Sequence, residues 1–343
     1  MIAAPRAGTV LVARLDNAGD VLLAGPAVRA VAAHVDTVVM LAGPRGSAAA
    51  HLLPGVEEVI EWCAPWIDPD PDPVTTGHVT TLLDAVRARA PRGALLLTSF
   101  HQSPLPLALL LRLAGVGWIG AISEDYPGSL LDLRHHVEGD PPEARRGVEL
   151  AQAAGYGLPP GDDGRLAVRR PLPEVSHLTG APGYVVVHPG ASVPAREWPV
   201  RHCAQAVTAL AAAGHRVLVT GSASERQLTA QVAGEAGVDL GGRTDLPALA
   251  AVLGGACVVI AGNTGPAHLA AAVGTPVVSL FAPVVPAARW APYGVPTVLL
   301  GDQHAPCRDS RARQCPVPGH PCLSGVRPAQ VVDAVAELLA VVA

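Results

Sequence analysis

The sequence contains no lysine, so its 24 basic side chains are all arginine, and aromatic residues make up only 3% of its 343 positions. Such a composition offers neither a basic groove nor a stacking platform for bases, and with a net charge of −5 no nucleic acid is expected as a partner. A long uninterrupted apolar run is missing too. The most apolar stretch, Leu105 to Ile122, is broken by Arg112 and rich in glycine, and Met1 to Gly8 lacks the apolar centre of a signal peptide. A soluble cytoplasmic protein, at most peripherally associated with a membrane, is the expectation. Cysteine is scarce, and Cys63, Cys203 and Cys257 fall inside apolar or helical patterns, as reduced core thiols do rather than members of a disulfide framework.

What is present is alternation. Half of the residues are hydrophobic, enough at this length for one large core or two medium ones, with length favouring two. Short β-rich runs recur at Thr9–Arg14, Thr37–Leu41, Glu57–Glu61 and Ala94–Thr98, then at Tyr184–His188, Arg216–Thr220, Cys257–Ala261 and Pro276–Phe281. Helical patterns fill the gaps: Val200, Cys203, Val207 and Leu210 share one face, and Gly214 stands where that helix stops. Strands alternating with helices predict an α/β fold of parallel sheets covered on both sides. The proline-rich segment Arg165–Gly183 shows neither period and separates the two series, giving domains at 1–172 and 173–343.

Open α/β sheets bind ligands beyond the carboxyl ends of their strands, so the turns there carry the functional candidates, and the site is expected between the lobes. The clearest turn is Val258 to Phe281, which reads as strand, small-residue turn, helix and second strand. Its helix should begin near Pro266, with the preceding turn placed to hold a phosphate on unpaired N–H groups; alternatively Thr264 only caps the helix and Gly265 only eases the turn. In the first half, Arg14-Leu15-Asp16-Asn17-Ala18-Gly19-Asp20 leaves a strand and enters an amphipathic helix. Asp20 is then either a helix-start partner or a general base. In the second half, Arg196 follows His188-Pro189-Gly190-Ala191-Ser192 and suits an anion, unless it only pairs with Glu197. Glu225, after Thr220-Gly221-Ser222, could accept both hydroxyls of a ribose or serve as ordinary helix-start acidity.

Taken in order, Arg14…Asp20, His188-Pro189-Gly190…Arg196-Glu197-Trp198-Pro199, Gly221…Glu225 and Asn263-Thr264-Gly265-Pro266-Ala267-His268-Leu269 resemble the ADP-heptose:lipopolysaccharide heptosyltransferases, glycosyltransferase family 9, from about residue 9 to residue 325. The resemblance implies the GT-B architecture, two facing Rossmann-like doubly wound domains with the site in the cleft. The first domain would bind the acceptor and the second the nucleotide-sugar donor. It implies an inverting, metal-independent transfer of a sugar, foremost heptose from ADP-heptose, with no cofactor beyond that donor. Asp20 would be the catalytic base, with Asn17 and Gly19 on the acceptor side. Arg196, Ser192, Thr264, Gly265 and Pro266 would hold the donor diphosphate. Glu225, Gly221 and Thr244 would bind the nucleotide ribose, and Asn263 and His268 the sugar; for His268 a purely structural hydrogen bond within the packed helix is the alternative.

The chain departs from the family pattern at three places. Asn263 stands where many members have Asp, which removes a charge from the sugar site. Arg196 stands where Lys is common, and Trp118 occupies a spot where a basic residue is common on the acceptor side. The acceptor is a glycan, a glycolipid or a small metabolite. Alternatives to a transferase are a 2-epimerase-like enzyme or a non-catalytic nucleotide-sugar binding protein. Two motifs lie outside the resemblance. Asp68-Pro69-Asp70-Pro71-Asp72-Pro73 reads as a solvated extended loop near the acceptor side rather than a cation site. His304, Cys307, Cys315, His320 and Cys322 have ligand chemistry but lack the spacing of a structural zinc site, and a structural loop is the favoured reading over metal or a redox pair.

Overall fold

A computed structural model describes residues 3–71 and 73–342 of the chain; Met1, Ile2, Asp72 and Ala343, which the sequence readings touch, lie outside the described residues. The chain divides into two compact units between Arg169 and Arg170. Each unit is built on a six-stranded sheet whose strands all run parallel.

The first sheet comprises β1 (Thr9–Arg14), β2 (Thr37–Ala42), β3 (Glu58–Glu61), β4 (Gly93–Leu96), β5 (Trp118–Ile122) and β6 (Leu133–His135), in the order β3-β2-β1-β4-β5-β6. The second comprises β7 (Tyr184–His188), β8 (Val217–Val219), β9 (Val238–Asp239), β10 (Ala256–Gly262), β11 (Val277–Leu280) and β12 (Thr297–Leu300), in the order β12-β11-β10-β7-β8-β9. Counted within its own unit, each sheet has the order 3-2-1-4-5-6, the doubly wound Rossmann arrangement. The direction of winding reverses between β1 and β4 and again between β7 and β10. At such a switch point neighbouring connections leave in opposite directions and open a crevice at the strand ends.

The central strands earn their places by composition. Val10, Leu11 and Val12 of β1 and Val185 and Val186 of β7 are completely buried, as a parallel strand covered on both faces requires. Leu11, Leu41, Leu96, Ile119 and Leu111 anchor the first core. In the second, Val187, Val258, Val278, Val207 and Val335 bring three strands and two helices together.

Several boundaries differ from the sequence-based expectations. The strand expected to reach Thr98 ends at Leu96, which leaves Leu97 and Thr98 to shape the loop that follows. Leu105–Ile122 divides into a helix, Leu105–Leu113, and β5. The segment Arg165–Gly183 contains one helical turn, Ser176–Thr179. Strands β5, β6, β9 and β12 were not anticipated; β6 and β9 have only three and two residues, too few to display a period. Among the described residues no helix is long and apolar enough to cross a membrane.

Candidate functional site

In the first unit the chemistry gathers where β1 ends. Arg14, the last residue of that strand, is 4% exposed and lies among three carboxylates. Its Nε is 2.8 Å from Asp16 Oδ2, its Nη2 is 3.0 Å from Asp20 Oδ1, and its Nη1 is 3.5 Å from Glu143 Oε2. Nη2 also donates to Ser99 Oγ at 2.8 Å, just beyond β4. Glu143 opens the helix Glu143–Ala153 and accepts a second arginine, Arg146, at 2.9 Å. Asp16 in turn accepts from the Gln102 side-chain amide.

Burial works against the charge of Arg14, but Asp16, Asp20 and Glu143 together outweigh it and raise its pKa. The same burial pushes the Asp16 carboxyl up from 3.8 to about 6, against the lowering effect of Arg14. Three carboxylates against two guanidiniums leave a surplus negative charge, which a proton on Asp16 relieves. Asp20 lies in the first turn of the six-residue helix Ala18–Leu23, with its side chain 19% exposed. It is therefore a helix-start acid and also a carboxylate fixed by a buried guanidinium. Asn17, the exposed N-cap residue of that helix, makes no side-chain cap bond, and Gly19 is buried.

In the second unit the ends of β7 and β10 are tied together. Arg196 closes the short 3-10 turn Pro194–Arg196, and its Nη1 donates to the Asn263 carbonyl at 3.3 Å. The motifs around Arg196 and Asn263, far apart in sequence, thus meet at the switch point. Asn263 is 5% exposed, and neither its amide oxygen nor its amide nitrogen has a hydrogen-bond partner in the protein. A buried side chain so equipped is costly unless something supplies the missing bonds. Thr264 occupies the N-cap position of the helix Gly265–Val273, but its hydroxyl makes no cap bond and turns back to the Gly262 carbonyl at 3.4 Å. The cap reading of Thr264 is thereby corrected: backbone N–H groups of the first turn lack a side-chain acceptor from Thr264. Gly265 and Pro266 form the start of that helix, and His268 is buried one turn in. Ser192 is exposed in the loop between β7 and Arg196.

Glu225 is a helix-start acid, one of the two roles considered for it. Its Oε2 accepts from the backbone and hydroxyl of Ser222, each at 2.7 Å, completing a capping box. Its other oxygen lies against Gly190, where any side chain would collide with the carboxylate. Behind it, His188 is held by Thr220 Oγ1 at 3.0 Å, and burial pushes the imidazole pKa down while Glu225 pulls it partly back. Gly221 packs directly against Glu225 and Thr229, and its carbonyl accepts the Gly242 N–H at 2.9 Å, bringing in the loop that carries half-buried Thr244.

One further expectation is corrected, and two other motifs are placed. Trp118 is 4% exposed and lies at the amino end of β5, against Gly120 and Gly93, so it is a core residue at the wrong end of a parallel strand to meet an acceptor. Asp68 and Asp70 both face the Arg45 guanidinium, at 3.6 and 2.9 Å. Cys307 and Cys322 belong to the second core, and burial followed by the neighbouring Cys307 and Cys315 thiols pushes Cys322 up to about 12. Among the described residues no three His, Cys, Asp or Glu side chains form a metal-holding group. Arg14, Asp16, Ser99, Gln102 and Glu143 were assigned no role from the sequence. A charged residue closing a fully apolar strand, as Arg14 does, was the available signal.

A sequence model described as Glycosyltransferase family 9 (heptosyltransferase) matches residues 102–320. No protein of curated function matches the chain. Among solved structures, a glycosyl transferase family 9 protein from Veillonella parvula superposes with a TM-score of 0.78 at 15% identity, covering 97% of each chain. Escherichia coli ADP-heptose LPS heptosyltransferase II gives 0.72 at 19% identity over 97% of this chain and 98% of its own. The E. coli heptosyltransferase WaaC, solved with ADP-2-deoxy-2-fluoro heptose, gives 0.70 at 20% over 96% and 99%. At these identities the likeness is one of fold, two Rossmann-like domains of the GT-B type.

Proposed function

The chain belongs to glycosyltransferase family 9, and from that premise we propose that it moves a heptose from ADP-heptose to an acceptor hydroxyl, inverting the anomeric centre without a metal ion. The observation that carries the donor half is Asn263, a buried amide with no partner of its own beside a helix N-terminus and an arginine. A sugar diphosphate supplies what each of these lacks: hydroxyls for the amide and anionic oxygens for Arg196 and the helix start. The donor bound to WaaC is of this class.

In this reading Asp20 accepts the proton of the acceptor hydroxyl while that oxygen attacks the anomeric carbon. The bond from that carbon to the β-phosphate oxygen breaks, and ADP leaves with the electron pair. A single displacement from the opposite face inverts the configuration. Arg196, Ser192, Thr264, Gly265 and Pro266 meet the charge that develops on the diphosphate. Glu225 keeps Oε2 for the capping box and offers its other oxygen to the ribose, with Gly221 and Thr244 alongside. Asn263 and His268 line the sugar. The acceptor side belongs to Asp20, Asn17 and Gly19, and the acceptor is a glycan, a glycolipid or a small metabolite.

Melting temperatures measured with ADP, UDP, GDP, dTDP and ADP-heptose test the donor, because a ligand that binds only the folded state raises the melting temperature. Stabilisation by ADP and ADP-heptose alone is the expected result. Preference for another nucleotide would discard ADP-heptose while leaving a family 9 transferase.

A further inference from the structure

At the end of β1 one arginine serves two aspartates. Asp16 stands between that strand and the helix that carries Asp20, and its side chain is 9% exposed against 19% for Asp20. Arg14 meets them on different nitrogens, Asp16 through Nε at 2.8 Å and Asp20 through Nη2 at 3.0 Å, so both draw on one guanidinium charge. Asp16 Oδ1 accepts from the Gln102 amide. Among the described residues Oδ2 has no hydrogen-bond donor, since its short contact with Nε lacks the geometry of one, and it is the oxygen left for a proton.

Among the described residues the charged groups that face Asp16 are Arg14 from β1, Asp20 from the helix Ala18–Leu23 and Glu143 from the helix Glu143–Ala153; Gln102, from the loop after β4, is neutral. Arg146 completes the set by donating to Glu143 at 2.9 Å. With Asp16 protonated, two carboxylates balance two guanidiniums, and a proton arriving on Asp20 leaves a net positive charge in a buried cluster. With Asp16 ionised, three carboxylates face two guanidiniums, and the same proton brings the cluster to neutrality. Unbalanced charge away from water is costly, so the arrival of a proton on Asp20 is the easier step when Asp16 is charged. Asp20, the more exposed of the two, is the one that an acceptor hydroxyl can meet.

We propose that Asp16 is a positioning residue for the transfer: its ionised form supplies the surplus negative charge that draws the acceptor's proton onto Asp20, and its protonated form withholds it. The proposal rests on the transferase reading above. In that step a lone pair of the acceptor oxygen forms the bond to the anomeric carbon, and ADP leaves with the pair of the bond that breaks. The O–H pair stays on the acceptor oxygen, and a lone pair of an Asp20 oxygen takes the proton. Asp16 acts through Arg14 and Asp20 rather than on either substrate. Burial raises its carboxyl from 3.8 to about 6, so its change of state falls a little below neutral pH.

Two measurements on the full chain test this. The first needs no substrate: aspartate carboxyl carbons are followed by carbon-13 NMR against pH, with Asp16 assigned by Asp16→Asn. Its midpoint is expected at about 6, and is expected to fall by at least about half a unit in Asp20→Asn, which removes a like charge from the same guanidinium. A wild-type midpoint of about 4, or one that Asp20→Asn leaves in place, overturns the proposal, and the first of these reads even if the variant does not fold. The second measurement is release of ADP from ADP-heptose with water as the acceptor. The wild-type rate should rise with pH through about 6, and Asp16→Asn should lack that rise, with kcat at neutral pH about tenfold lower and the donor KM unchanged. Asn keeps the shape of a protonated Asp16, so a purely structural role predicts a stable variant that turns over at the wild-type rate, and that result also overturns the proposal. If Asp20→Asn moves the Asp16 midpoint as expected and the wild-type protein does not turn over ADP-heptose, the donor reading falls and the link between the two aspartates stands.

Discussion

The two units share one strand order and differ in what they place at its switch point. At the end of β1 the protein has filled its own valences: Arg14 is surrounded by Asp16, Asp20 and Glu143 before any ligand arrives. At the end of β10 it has left them open, with an amide that finds no partner and a helix start that Thr264 does not cap. A group that must take a proton needs its charge and position set in advance, whereas a diphosphate brings its own charge and needs donors waiting for it. One scaffold therefore carries two opposite electrostatic preparations.

The comparison breaks most visibly at Arg14. Replacement by Met leaves three carboxylates without their shared cation, and a loss of about 3–5 kcal/mol in unfolding free energy is expected by denaturant titration. The equivalent disruption in the second unit, Arg196→Met, should cost less, about 1 kcal/mol, because Arg196 is only half-buried. Comparable losses from both would show that the two ends are not differently prepared.

Next in size is Asp20→Asn, for which turnover should fall by about a hundredfold or more with donor affinity nearly unchanged, as removal of a general base requires. Single-turnover kinetics and calorimetry separate the two quantities, and unchanged turnover would remove Asp20 from its assigned role.

Asp16 sharpens the comparison through pH. Its folded-state pKa is raised from 3.8 to about 6, chiefly by burial, so the stability it contributes is complete below pH 3.8 and is lost as pH rises through about 6. Asp16→Asn abolishes that decline. Relative to wild type the variant should gain on the order of 2 kcal/mol between pH 4 and 7.5, since each pKa unit corresponds to about 1.4 kcal/mol. A parallel pH dependence in the two proteins would mean that Asp16 does not carry the surplus charge. The smallest effect is expected at Asn263, where Ala removes only the waiting amide. ADP-heptose affinity should drop about tenfold, or about 1.4 kcal/mol, while ADP affinity holds.

Much of this arrangement was legible in the sequence. The buried strands announce themselves by apolar runs such as Val10–Val12 and Val185–Val187, and the small-residue turn before Pro266 marks its helix to within a residue. Local signals stop at the strand ends. Glu143 reaches Arg14 across 129 residues, and no spacing rule connects a helix-start acid to a strand so distant. Trp118 was misplaced for a different reason. Its position in the chain suggested the acceptor side, but only the register of β5, with Gly93 opposite Trp118, shows that it stands at the amino end. Glu225 was offered as a choice between two roles, and the capping box with Ser222 shows the helix-start one.

The close fit of Gly190 against the Glu225 carboxylate sets a limit on how this enzyme can diverge. A side chain at position 190 would expel the carboxylate, undoing a helix start and the proposed ribose contact in one step. Retuning nucleotide preference at position 225 meets the same coupling from the other direction, because a smaller residue there leaves a void over Gly190 and strips Ser222 of its acceptor. The two positions should therefore change together or not at all, and a library that randomises them jointly will recover folded variants that single-site libraries at either position miss.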